Sequence, residues 1–369
     1  MIADSSVGHL HDRPDAPDSH PAPWPTVGCT SVCFLSGEIS HTPYRRRFLN
    51  GGLDRGGDLM SAQNLTCPAP IQADPYPTRL HQQPEQHWHE RRENTVKGRH
   101  LPGPLTEQQL DRFEENGFLF EPGFLPPEEV ASLTQAMSEL LNREDYRGKP
   151  FTITEPDSHE IRSVFAVHFL HRAFQHLARD PRLTQRVEQI LGGGHYVHQS
   201  RINYKPGFKG KGFNWHSDFE TWHAEDGMPA MHAVSASIIL TDNHSFNGPL
   251  MLIPGSHKHF IPCVGPTPDE HHKQSLKTQQ IGVPSEQALA AMINRHGIDA
   301  PTGPAGSLLL FDCNTLHGSN ANMSPDPRSN VFFVFNRRDN ACVQPYAARQ
   351  RRPRFLGHEP DRLWQADDS

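Results

Sequence analysis

A mainly β domain with flanking helices, built on a double-stranded β-helix of the jelly-roll or cupin-like kind, is the fold this sequence predicts. Two observations predict it. Helical patterns come first along the chain, and short alternating patterns separated by Gly, Pro and Asn turns follow them. Residues that share one chemistry, His216 with Asp218 and then His317, lie far apart in sequence; a double-stranded β-helix brings such distant strands together around one mouth.

The elements follow in order. Thr106-Glu107-Gln108-Gln109 reads as a capping box, Leu105 and Leu110 as its hydrophobic staple, and Gly117 as the stop. A second helix follows Pro126-Pro127, with Val130, Leu133, Met137, Leu140 and Leu141 on one face. A third runs through Leu183, Val187 and Ile190 and ends at Gly192-Gly193-Gly194. Strands are expected at 195–204, 213–219, 233–241, 249–253, 307–312 and 330–336. The domain is thus expected over 105–345, followed by a C-terminal tail, 346–369. Before it, 60–104 reads as an irregular arm that wraps the domain surface, and 1–59, rich in Pro, Asp, His, Gly and Arg without sustained period, as a disordered extension.

Composition bounds the function. A chain of 369 residues buries a sizeable core, but 35% hydrophobic content, 34 Pro and 28 Gly imply much loop. A net charge of -7 gives no basic footprint for nucleic acid. No apolar run approaches the roughly 18 residues of a membrane span, and no signal-peptide pattern opens the chain, so a cytoplasmic protein without membrane partners is expected. The six cysteines lack the density of a disulfide scaffold, and Cys29-x-x-x-Cys33 finds no second pair to complete a zinc site.

Chemistry concentrates at Trp215-His216-Ser217-Asp218. On an extended strand His216 and Asp218 point to one face, and a third imidazole completes the two-histidine, one-carboxylate triad of non-haem Fe(II) oxygenases. The candidate is His317, after the apolar run Ser307–Phe311, with Ser319 and Arg328 beyond it. That arrangement suits a 2-oxoglutarate-dependent dioxygenase: three metal positions stay open, and a guanidinium matches a far carboxylate better than an ammonium does. His223, His244 and His257 are read as loop or outer-layer histidines. Glu220, Glu225 and Asp226 are read as structural acids, capping or pairing with Arg201 or a neighbouring Lys.

The run Phe213–Pro229 closely resembles the signature of the ectoine hydroxylases, members of the phytanoyl-CoA dioxygenase superfamily. The stretches His198–Asn203, Leu240–Asn243, Ile253–His257, Phe311–Ser319 and Pro327–Phe333 are similar to the same family, so the resemblance covers 74–345. It implies Fe(II)- and 2-oxoglutarate-dependent hydroxylation of the compatible solute ectoine with O2, giving 5-hydroxyectoine, succinate and CO2, in a cytoplasmic homodimer that serves stress tolerance. Carried over by motif, His216, Asp218 and His317 hold iron, Lys205, Ser319 and Arg328 contact 2-oxoglutarate, and Gln199, Trp222 and Phe332 contact ectoine. His232 departs from the family pattern, where Arg is expected. Two alternatives stay open: the same chemistry on a free amino acid or acyl-carrier chain, and a non-catalytic jelly-roll binding module.

The resemblance leaves 1–59 unaccounted for. Arg55-Gly56-Gly57-Asp58 can be written in codons, CGA-GGA-GGT-GAT, that hold a bacterial ribosome-binding sequence just before an ATG for Met60. The expectation is a start at Met60, with a genuine disordered extension as the alternative. N-terminal peptides of the native protein are then expected to begin at Met60 or Ser61, and a chain starting at Met60 to keep its full activity and thermal stability. Abundant native peptides from 1–59 contradict it.

Overall fold

Thr106 caps its helix as the capping box requires: its hydroxyl accepts from the Gln109 N–H, Gln109 reaches back to the Thr106 N–H, and Gly117 closes Glu107–Asn116 at φ 80. The structure, a computed structural model, describes residues 74–80, 88–154 and 160–368. The expected extension, the beginning of the arm, and Cys29, Cys33 and Cys67 lie outside them. The helices Pro127–Leu141 and Pro181–Leu191 also form, each with Pro in its first turn, the second ending at Gly192 in the left-handed region.

Twelve strands are present among the described residues: β1 (His89–Glu90), β2 (Phe118–Glu121), β3 (Thr152–Thr154), β4 (Ile161–Phe165), β5 (His195–Lys205), β6 (Phe213–His216), β7 (Ala233–Ile239), β8 (Leu250–Leu252), β9 (His259–Phe260), β10 (Leu308–Asp312), β11 (His317–Ser319) and β12 (Arg328–Arg337). Seven make one antiparallel sheet in the order β2-β10-β7-β12-β5-β4-β3, and three make a second, β6-β11-β8. Neighbours are rarely consecutive in sequence, as a jelly roll demands.

Period-two alternation divides the large sheet into two faces. Ile202, Val234, Ala236, Ile238, Leu308, Leu310, Val331 and Phe333 join one buried cluster with helix residues Leu133, Leu140, Leu183, Val187 and Ile190. Leu309, Phe311 and Phe332 point the other way and meet Leu252 of the small sheet. At its β5–β12 end that second face turns polar.

Three expectations need correction. Strands do not simply follow helices: β2, β3 and β4 lie among them, each too short for its periodicity to show, β2 pairing with the distant β10, β4 with β5, and β3 with its neighbour β4. The strand expected at 213–219 stops at His216; Ser217 accepts from the Glu220 N–H and starts a helical turn, Asp218–Thr221, that continues into a π-helical turn, Trp222–Asp226. The domain does not end at 345, because Phe355, Leu356 and Trp364 of the C-terminal tail are buried in the main cluster.

Arg352 of that segment forks onto Asp226, Nε to Oδ1 at 2.8 Å and Nη2 to Oδ2 at 2.5 Å. Burial opposes the Asp226 charge, but Arg352 and His198 hold its pKa at about 2. Burial likewise opposes Glu225, which His271 and Arg79 also hold at about 2. Both carboxylates are depressed on folding, so their contribution is fully present above the unfolded values of about 4 and is lost as pH falls toward about 2. The thermal midpoint is expected to be flat above about pH 5 and to drop steeply below about pH 4. A midpoint that stays level down to about pH 2.5 contradicts this account.

Candidate active site

The small sheet sets His216 and His317 directly opposite one another, as Cα partners of β6 and β11. Their ring centroids are 4.2 Å apart. Each Nδ1 faces a carbonyl two residues back, His216 at 2.8 Å from the Asn214 oxygen and His317 at 2.9 Å from the Thr315 oxygen. With the Nδ1–H donating there, each Nε2 keeps its lone pair for a metal. Asp218, at the start of the helical turn, completes the group: Oδ1 lies 3.6 Å from His216 Nε2 and Oδ2 3.9 Å from His317 Nε2. The three donor atoms lie within 4.8 Å of one another, and all three residues are buried. Burial, then His216, pushes the His317 pKa down to about 4, so its imidazole is neutral at pH 7. Burial opposes the Asp218 charge, but His317, His216 and Arg201 hold its carboxyl below the usual range. Two imidazoles and one carboxylate form a donor set that fits a mononuclear non-haem iron.

A cavity of about 110 Å³ adjoins the two histidines, lined also by Arg201, Lys205, Ser319, Arg328 and Phe332. Alternation puts 201, 203 and 205 of β5 on the face that pairs with 332, 330 and 328 of β12. Two cations, Lys205 and Arg328, therefore stand opposite each other across a strand pair, where like charges destabilise. Lys205 is engaged, its Nζ donating to Ser319 Oγ at 3.0 Å and to the Asn320 carbonyl at 2.5 Å. Arg328 is buried, yet its Nε and Nη2 have no hydrogen-bond partner among the described residues. Burial, then Arg328, drives Lys205 down to about 7, and burial with Arg201 brings Arg328 to about 10. A buried guanidinium fork without a partner is a site for a carboxylate.

Of the residues matched to ectoine contact, Phe332 lines the cavity and Gln199 and Trp222 do not. Gln199 Nε2 donates to the Leu356 carbonyl at 2.7 Å. Trp222 is buried among Phe219, Met228, Met231 and Val334, with its ring edge-on to His198. That packing adds a consequence to Trp222→Ala: beyond weaker ectoine binding, a loss of about 3–5 kcal/mol of stability is expected. An unchanged denaturant midpoint in the variant contradicts the packing account.

Sequence reasoning missed Arg201. It does not pair with Glu220, Glu225 or Asp226, which bind Arg79 and Arg352 instead. Its Cζ lies 4.9 Å over the Phe332 ring, and its Nε has no hydrogen-bond partner among the described residues. The signal was available, since Arg201 shares a strand face with Lys205. His232 sits outside the cavity and pairs with Glu93 at 3.1 Å. His223 and His257 are held by backbone carbonyls away from the cluster, His223 at 2.7 Å from the Met228 oxygen and His257 at 3.2 Å from the Glu114 oxygen.

Such a donor cluster at one end of a cavity, facing a carboxylate-binding end on a jelly-roll scaffold, defines the class of the mononuclear iron oxygenases. The chain belongs to the phytanoyl-CoA dioxygenase (PhyH) family, whose model matches residues 113–330. It is 68% identical over 302 residues to the ectoine dioxygenase of Halomonas elongata, covering 82% of this chain and 91% of that one. With the ectoine dioxygenase of Stutzerimonas stutzeri it shares 49% over 287 residues, 78% of this chain and 94% of the relative. The crystal structure of EctD from S. alaskensis with 2-oxoglutarate and 5-hydroxyectoine has a TM-score of 0.70 at 40% identity, covering 79% of this chain and 96% of that one.

Proposed function

We propose that this chain hydroxylates ectoine to 5-hydroxyectoine, using O2 and 2-oxoglutarate and releasing succinate and CO2, with Fe(II) held by His216, Asp218 and His317. The observation that carries the reading is one cavity joining that cluster to the partnerless fork of Arg328. The similarity to ectoine dioxygenases over nearly their whole length supplies the substrate. The homodimer and the cytoplasmic location belong to the same reading; sedimentation of the purified protein tests the first.

Bound iron and 2-oxoglutarate supply the oxidising power that inserts an oxygen atom into a C–H bond. The chain's own residues bind and orient. The Nδ1 atoms of His216 and His317 are committed to carbonyls, which orients both rings with Nε2 toward the cluster. Asp218 offsets two units of metal charge by one. Arg328, with Ser319 positioned by Lys205, takes the far carboxylate of 2-oxoglutarate and so directs its keto-acid end toward the cluster. Phe332 and Arg201 wall the cavity, while the ectoine contacts of Gln199 and Trp222, which lie outside its lining, rest on the family resemblance alone. No acid–base pair is required, since the step removes a hydrogen from carbon.

A small cavity favours a small ligand over a carrier-bound chain. A complete cluster disfavours a mere binding module. Purified protein with Fe(II), 2-oxoglutarate and ectoine is expected to give a product heavier by one oxygen atom, with succinate formed in equal amount. Faster turnover of proline or an acyl thioester than of ectoine overturns the substrate; no turnover of any of them overturns the enzyme.

A further inference from the structure

Arg79, in the short described stretch 74–80, has φ 60, a left-handed backbone uncommon for a side chain with a Cβ. Its guanidinium is buried and fully engaged. Nε and Nη2 fork onto Glu220 at 2.9 and 2.8 Å, and Nη1 donates to Glu225 Oε1 at 2.7 Å and Thr267 Oγ1 at 3.0 Å. Thr78 adds its hydroxyl to Glu220 Oε1 at 2.8 Å. Upstream, Asp74 Oδ1 lies 2.8 Å from His223 Nε2, and the Tyr76 ring stands edge-on to Phe219 at 5.1 Å.

Phe219, Glu220, His223 and Glu225 share one segment, Asp218–Asp226, whose first residue is the carboxylate of the metal cluster. Its second half is π-helical, a rare geometry found mostly as single turns and often at functional sites. A single cation reaches two of its buried acids, one in each half. Space there is tight: a Cβ on Gly282 would lie 2.5 Å from Glu220 Oε2 and 2.8 Å from Arg79 Nη2.

We propose that Arg79 is a positioning residue for the metal centre, clamping Glu220 and Glu225 and so fixing the turn that presents Asp218. The inference rests on the iron reading of His216, Asp218 and His317. Without the fork Glu220 remains buried without its cation and Glu225 keeps only His271, 2.7 Å from its Oε1; the turn relieves this by shifting, which displaces Asp218. Lysine keeps the charge but lacks the planar fork that serves both acids at once.

Anaerobic titration with Mn(II), followed by electron paramagnetic resonance, tests this on the full chain. Arg79→Lys is expected to bind Mn(II) about ten- to a hundredfold more weakly, the range for outer partners of metal ligands. At saturating Mn(II) its affinity for 2-oxoglutarate is expected to stay near wild type, because Arg328, Lys205 and Ser319 sit on other strands. Arg186→Lys, which perturbs a pair with Glu121 away from the turn, serves as a stability control and is expected to bind Mn(II) normally. A folded Arg79→Lys protein with wild-type Mn(II) affinity overturns the proposal. Should that variant fail to fold, a chain carrying Arg79→Met, Glu220→Gln and Glu225→Gln has no unpaired charge there; it too is expected to bind weakly, and wild-type affinity in it overturns the proposal. If the wild type binds Mn(II) no better than His216→Ala, the metal reading itself falls, and this inference with it.

Discussion

His317→Ala is expected to abolish ectoine-dependent succinate formation while leaving the fold in place. The imidazole has one hydrogen bond, from Nδ1 to the Thr315 carbonyl two residues away, so its removal breaks no long-range network. Its opposite number across the β6–β11 pair, His216, keeps its own carbonyl anchor. What is lost is one of three donors for an ion that must keep open positions. Changing even an outer partner of such a ligand costs about ten- to a hundredfold in affinity or activity, so losing the ligand itself is expected to exceed about a hundredfold. Circular dichroism checks the fold, Mn(II) titration the metal, and product mass the turnover. Near-normal turnover removes His317 from the site.

Arg328→Lys is expected to weaken the apparent affinity for 2-oxoglutarate by roughly ten- to a hundredfold, the equivalent of about 1.5–3 kcal/mol for a charge-assisted contact. The ectoine constant is expected to move less. Nε and Nη2 of Arg328 are buried and without a partner among the described residues, so a carboxylate is expected to meet two donors already in place. An ammonium on a flexible stem offers no such fork, and burial beside Lys205 favours its neutral form. An unchanged KM for 2-oxoglutarate removes Arg328 from this role.

Much of this site was legible from local signals. Capping chemistry marked the helix at Glu107–Asn116, and glycine marked its end. The residue types at 216, 218 and 317 named a donor set before any distance was known, and the fold brings the three together. Less legible was how Asp218 reaches its partners. The extended reading put it on a strand beside His216, whereas Ser217 starts a helix there by taking the Glu220 N–H. Serine before an acid-rich segment is a capping signal, but the strand-like run Phe213–His216 masked it. The partners of Glu220, Glu225 and Asp226 were out of reach for a different reason. Arg79 and Arg352 lie 141 and 126 residues from Glu220 and Asp226, and no local periodicity reports contacts at that range. Nor does any local rule show Trp222 turned into a cluster with Met228 and Val334.

The opposition of Lys205 and Arg328 across β5 and β12 carries a cost that the protein bears alone whenever its co-substrate is scarce. A dianion between those strands relieves that repulsion in the folded chain and has nothing comparable to hold in the unfolded one, so its binding draws the folding equilibrium by mass action, about 2.7 kcal/mol at a hundred times the dissociation constant. The stability of the folded chain is thereby expected to rise with the concentration of 2-oxoglutarate. A pair of cations proposed to hold the co-substrate thus also couples its binding to folding.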